Sequence, residues 1–266
     1  MKKLYISADI EGSCGIAHWD ETSKNRPDYQ AFARQMSREV AAACQGALEA
    51  GFEYILVRDA HDSARNIDPN LLPPQVELIR GWAQDPLCMM HGIDQGFTAA
   101  VFTGYHDAAG TGSNPLSHTL DTNLIWFTLN GELVSEALVS AYAAALYGVP
   151  LALITGDEGV CQRMQGVIPA LATVPVNKAQ GGAVHSIHPD EAVKRIREGV
   201  ARALKSGLEE NLLTLPKTFR AEIRFREMQR AHRSGFYPGM KALDSHTLAF
   251  ETEDYYEILR MLHFCV

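Results

Sequence analysis

The chain has 266 residues, 46% of them hydrophobic, so it can bury a sizeable core as one large or two smaller domains. Its formal net charge of −8 argues against nucleic acid or anionic lipid as main partners. Five scattered cysteines with no C-x-x-C pair read as reduced thiols rather than a disulfide framework, and no run approaches a membrane span; these features predict a soluble cytoplasmic protein.

In chain order, residues 3–9 alternate and read as a strand. Residues 28–50 carry helix formers and an alanine-rich face, and Gly51 stands where a C-cap glycine belongs. "FEYILVRDAH" (52–61), "VELIRG" (76–81) and "AAVFTGYHDA" (99–108) are the next strands. "NLIWFTLNGELV" (123–134) starts as a strand and turns at Asn130-Gly131. "SEALVSAYAAALYG" (135–148) is a helix closed by Gly148, and "VPLALITGDE" (149–158) is a buried-type strand. The segment 176–188 reads as a loop or short turn around Gly181-Gly182. Residues 189–207 form an amphipathic helix, 218–226 and 246–252 are strands, and 253–266 is a terminal helix.

Strands alternating with helices predict an α/β fold: a mostly parallel sheet with helices on both faces, in a domain spanning 1–188. The tail, 189–266, predicts a smaller C-terminal α+β subdomain. Ligands of such sheets bind beyond the carboxyl ends of the strands. Here those ends carry Asp9, His61, His106 and Asp157.

In "SADIEG", Asp9 and Glu11 lie two apart, which puts both carboxylates on one face if the strand stays extended. A divalent cation removes their mutual repulsion, and Gly12 lets the backbone turn after them. Alone, the pair is a weak signal and reads more readily as a solvated strand end. His61 and His106, each a surface or hydrogen-bonded residue on its own, complete a mixed N/O ligand set beside the acids. That set suits zinc, and also manganese or cobalt. Glu136, in the first turn of the alanine-rich helix, and Glu132 just before it are both available; spacing leaves the choice open. His118 follows a loop of small and polar residues and suits acid/base work or oxyanion stabilisation. Asp62, as a partner orienting His61, and His18, Lys178, Asp157 and Glu158, as contributors to the pocket or its support, are weaker candidates.

"SADIEG", "RDAHDS", "TGYHDAAGTGSNPLSHTL", "NGELVSEALVSAY" and "VPLALITGD" together resemble, in order, the successive motifs of the DppA-type D-aminopeptidases, peptidase family M55. The resemblance runs from Tyr5 to about Pro189, with a slightly longer loop between His106 and His118 than the family pattern. It implies a two-zinc aminopeptidase with metal ligands Asp9, Glu11, His61, His106 and Glu136, Asp9 bridging, and His118 catalytic. It also implies a large ring-like homo-oligomer acting on short peptides with N-terminal D-residues such as D-Ala. The expected chemistry is attack on the peptide carbonyl by a water activated between two metals. Two rivals are a related metallo-amidase acting on cell-wall-derived peptides and a non-catalytic oligomeric binding protein. A panel of D- and L-aminoacyl substrates separates the first, and metal content the second.

Overall fold

A computed structural model describes all residues, Met1–Val266. In chain order the strands are β1 (Lys3–Ala8), β2 (Tyr54–Asp59), β3 (Val76–Ile79), β4 (Ala99–Tyr105), β5 (Leu124–Leu129), β6 (Glu132–Leu133), β7 (Leu151–Asp157), β8 (Ala172–Gln180), β9 (Ala183–Ser186), β10 (Phe219–Phe225), β11 (Lys241–Ala242) and β12 (Thr247–Thr252). The helices are α1 (Tyr29–Glu49), α2 (Glu136–Leu146), α3 (Glu158–Val167), α4 (Pro189–Ala203), α5 (Met228–Ser234) and α6 (Tyr255–Cys265).

The main sheet has seven strands in the order β3-β2-β1-β4-β7-β8-β9. All its pairings are parallel except β8 with β9. The central strands β1, β4 and β7 are apolar and buried along nearly their whole length, as parallel strands covered on both faces must be. One face packs on α1 and α4, where Val40, Ile196 and Val200 meet Leu4, Ile6 and Val101. The other face carries α2, α3 and α6 and joins them to a second sheet in one continuous core. The chain runs outward from β1 through β2 to β3, then returns to β4 on the other side of β1. The β1/β4 boundary is therefore a topological switch point, where connections leave to opposite faces and open a crevice.

The second sheet is smaller, with order β11-β12-β10-β5-β6, and antiparallel throughout. Its strands come from both sides of residue 188. Phe127 of β5 pairs with Ile223 of β10, so the middle of the chain and its tail build one sheet. The expected division at 188 does not separate two cores, because β5 and β10 pair in one sheet and their apolar side chains share one core. Helix α4, expected in the tail subdomain, packs instead on α1. Residues 176–188 also differ from expectation: β8 and β9 form a hairpin turning at Gly181-Gly182. The Asn130-Gly131 turn is as the sequence predicts, both residues having positive φ, 53° and 88°. No helix is long and apolar enough to cross a membrane.

Candidate metal centre

Asp9, His61 and His106 stand just past the carboxyl ends of the three adjacent strands β1, β2 and β4. The strand does not stay extended through Glu11. It ends at Ala8 and turns, Ser13 N–H donating to Ile10 O at 2.8 Å. Both carboxylates nevertheless reach one imidazole. His61 Nδ1 lies 3.4 Å from Asp9 Oδ1 and 3.1 Å from Glu11 Oε2.

Backbone-to-backbone packing brings this turn against the end of β4. Gly12 N–H donates to Gly104 O at 2.8 Å, and a Cβ on Gly12 would fall 1.8 Å from Tyr105 O. Gly12 is needed for this close approach rather than for a left-handed turn. Gly104 has φ +67°, and a Cβ there would fall 2.2 Å from Asp9 O.

On the far side of Asp9, His106 Nε2 lies 3.5 Å from Asp9 Oδ2 and 3.3 Å from Glu136 Oε2. His118 Nε2 lies 3.4 Å from Glu136 Oε1 and stacks on the His106 ring at 4.3 Å between centroids. Ser135 caps α2, accepting from Leu138 N–H at 3.3 Å, and so sets Glu136 in the first turn. Glu132, the other glutamate that spacing left open, is exposed on β6. The donor atoms thus form two groups, Asp9–Glu11–His61 and His106–His118–Glu136, joined through the two oxygens of Asp9.

Backbone carbonyls set the tautomers. His61 Nε2–H donates to Thr22 O at 3.0 Å, His106 Nδ1–H to Asp107 O at 2.9 Å, and His118 Nδ1–H to Leu116 O at 2.9 Å. Each ring therefore turns its other nitrogen towards carboxylates, the arrangement of a metal-ligating histidine. Asp9 Oδ2, Glu11 Oε2 and His106 Nε2 are buried and have no hydrogen-bond partner. Ligand atoms held about 2.0–2.1 Å from a shared tetrahedral zinc lie roughly 3.3–3.4 Å from one another. The N···O separations here run from 3.1 to 3.5 Å. The donor set and its spacing fit zinc.

Among the side chains alone the charges conflict. Burial and the neighbouring Glu11 push the Asp9 carboxyl well above its usual range. Burial pushes Glu136 up too, but the rings of His106 and His118 outweigh it and hold it at about 2. Burial pushes His61 and His106 down, yet the carboxylates facing them raise both. Three carboxylates crowded into a dry pocket need positive charge, which bound cations would supply.

Polar residues that sequence reasoning did not single out hold the loops. Glu39, on α1, accepts from Cys14 N–H at 2.9 Å, and Asn177 donates to Ser13 O at 2.7 Å while accepting from Gly15 N–H at 3.1 Å. Asp59 accepts from Asn66 Nδ2 at 2.8 Å and from Ile67 N–H at 2.8 Å, closing the loop that carries His61. Asn114 donates to Glu11 O at 3.2 Å and to Asp157 Oδ2 at 3.2 Å. The one available signal was a glutamate amid the apolar positions of α1, Met36, Val40 and Ala43. Asp157 caps α3 through Val160 N–H and also accepts from Asp107 N–H at 2.9 Å. Asp62 does not orient His61; Thr22 O does. His18 is exposed at the cap of a short turn, and exposed Lys178 pairs with Glu158 at 3.5 Å.

The family model for peptidase M55, D-aminopeptidase, matches residues 1–264. The chain belongs to this D-aminopeptidase family. Within it, the chain is 28% identical over 257 residues to a D-aminopeptidase of Bacillus subtilis (strain 168), covering 96% of this chain and 93% of the relative. Its fold matches a solved structure described as the Zn-dependent D-aminopeptidase DppA from Bacillus subtilis, a self-compartmentalizing protease. That match has a TM-score of 0.91 at 27% identity, over 98% of this chain and 95% of the other. As an M55 peptidase it has the mostly parallel sheet with helices on both faces that its sequence predicts, together with a smaller antiparallel sheet.

Proposed function

We propose that this M55 peptidase releases the N-terminal residue, in its D form, from short peptides, using two zinc ions that share Asp9. The observation that carries the reading is the split of Asp9, Oδ1 towards His61 and Oδ2 towards His106, between two buried groups of donor atoms. Asp9, Glu11 and His61 would hold one ion, and Asp9, His106 and Glu136 the other. Manganese or cobalt suits the same donors. Zinc supplies Lewis-acid polarisation of the scissile carbonyl and an acidified water.

The chain's own residues do the rest. Buried Asp9 and Glu11 keep His61 Nδ1 facing inward, while Thr22 O holds the opposite proton. Glu136 Oε1 accepts from Leu120 N–H at 2.7 Å, which ties the loop bearing His118 to the first turn of α2. His118 is slightly exposed at the cavity wall, and its fixed tautomer presents Nε2. From there it accepts at Nε2 the proton that the attacking water loses, and returns it to the leaving amine. A second reading makes His118 a ligand, because its Nε2 is as near Glu136 as that of His106. The peptide enters a cavity of about 440 Å³ that contains Asp9, His61, His118 and Glu136 in its wall.

The self-compartmentalizing neighbour supports a closed, ring-like homo-oligomer that admits short peptides and excludes folded proteins. Five free cysteines suit the reducing cytoplasm. The test is hydrolysis of D-Ala-containing short peptides beside their L counterparts, with metal analysis of the same protein. Zinc-dependent release of D-Ala supports the reading. Cleavage confined to other amides points to the metallo-amidase, and a metal-free, inactive protein that zinc, manganese and cobalt all fail to activate points to a binding role.

A further inference from the structure

The carbonyl that fixes His106 belongs to a peptide unit gripped from outside the metal cluster. Asp107 O accepts from His106 Nδ1–H at 2.9 Å. The other end of the same unit, Ala108 N–H, donates to Asp107 Oδ1 at 2.8 Å. That oxygen also accepts from Arg163 Nε–H, on α3, at 2.6 Å, and Arg163 Nη2–H donates to Oδ2 at 3.3 Å. Ser113 Oγ donates to Oδ2 at 2.6 Å. The Asp107 side chain is 4% exposed and that of Arg163 29%. A line of bonds thus runs from an arginine near the surface, through a buried carboxylate and one peptide unit, to the ring of His106. Ser113 lies in the loop between His106 and His118 and rests directly on α3, where a Cβ on Gly159 would fall 2.2 Å from the Ser113 Cβ.

We propose that Arg163 is a positioning residue for the metal site on the His106 side, acting through the Asp107 carboxylate and the peptide unit that follows it. The inference rests on the two-zinc reading above. The group that accepts a histidine's other N–H sets the aim of its free nitrogen. Here that group is a carbonyl, and its peptide plane is held at the opposite end by Asp107 Oδ1. A carboxylate held at one oxygen can turn about its own bonds; a guanidinium fork bonding both oxygens fixes its plane. The same charge polarises Ala108 N–H and makes the carbonyl a stronger acceptor. Without Arg163, a buried carboxylate stands unneutralised beside the ligand and is driven to rearrange. His61 takes its acceptor from Thr22 O, outside this line of bonds, so the two metal sites respond differently.

The test titrates the full-length, metal-stripped protein with zinc against a chromophoric chelator, for wild type, Arg163→Ala and Arg163→Lys, with Glu136→Gln marking the ion on the His106 side. Wild type takes up two ions. Arg163→Ala weakens the same ion as Glu136→Gln, by about 10–100-fold, and leaves the other within about twofold. Arg163→Lys keeps the charge and loses the fork, so it gives an intermediate loss on that ion and carries the test if Arg163→Ala does not fold. Equal weakening of both ions, or unchanged zinc affinities with only a lower melting temperature of the metal-free protein, overturns the inference and leaves the two-zinc reading standing. A wild-type protein that takes up one ion or none overturns both.

Discussion

Asp9 Oδ2 lies 3.5 Å from His106 Nε2, and neither atom has a hydrogen-bond partner. The other nitrogen of His106 already donates its proton to Asp107 O. A lone pair facing a buried carboxylate is a repulsive contact unless a proton or a cation lies between them. The other oxygen of Asp9 faces a different histidine, His61, at 3.4 Å.

Asp9→Asn keeps the shape of the side chain and removes its charge. We expect it to lower zinc content at both positions, whereas Glu136→Gln lowers it mainly on the His106 side. Metal analysis after dialysis distinguishes them. An Asp9→Asn protein with full zinc and full turnover refutes the bridge.

His118→Ala is expected to lower kcat by about 10²–10⁴-fold, the usual contribution of a positioned acid or base. Zinc content stays near that of the wild type. If zinc falls along with kcat, His118 is a ligand instead.

Glu39 is buried on α1, and burial raises its carboxyl to about 7 from the ordinary 4.5, its bonds from Gln35 and Cys14 only partly offsetting this. A raised folded-state value means stability fully present below pH 4.5 and lost as pH rises through about 7. Glu39→Gln removes that loss. Its stability relative to wild type rises across this window by up to about 3 kcal/mol, since a tenfold change in proton affinity is worth roughly 1.4 kcal/mol. Urea unfolding of both proteins at several pH values measures it; a constant difference between them contradicts the assignment.

Gly12→Ala drives a Cβ to 1.8 Å from Tyr105 O. Backbone cannot yield as a flexible side chain does, so the variant loses about 3 kcal/mol or more of stability. Zinc affinity falls as well, because Glu11 is the preceding residue. A melting temperature and zinc affinity equal to wild type argue that the turn is looser than it looks.

Much of the fold was legible because local rules and tertiary packing agree along most of the chain. The alternation in 3–8, the alanine-rich face of α1 ending at Gly51 and the Asn130-Gly131 turn each report their own geometry. The parallel order was readable because continuous apolar strands alternating with helices have few ways to bury both faces. Residues 172–180 carry no strand pattern of their own because they are held by pairing with β7, and the unit to which β5 belongs is not legible locally because its partner β10 lies about a hundred residues later in the chain.

For the candidate site, the sequence by itself determined which residue types stand at the strand ends: Asp9, His61 and His106 follow from the strand pattern alone. Only tertiary structure decided how they combine. It replaced an extended Asp9–Glu11 strand with a turn held by Glu39 and Asn177, and it placed Glu136, which the family resemblance had indicated over Glu132, 3.3 Å from His106. It also brought His118 onto the His106 ring. The physical reason is that metal ligation depends on distances of a few ångströms between side chains from separate loops. Those distances are set by backbone contacts such as Gly12 on Gly104, which leave no periodic trace in the chain.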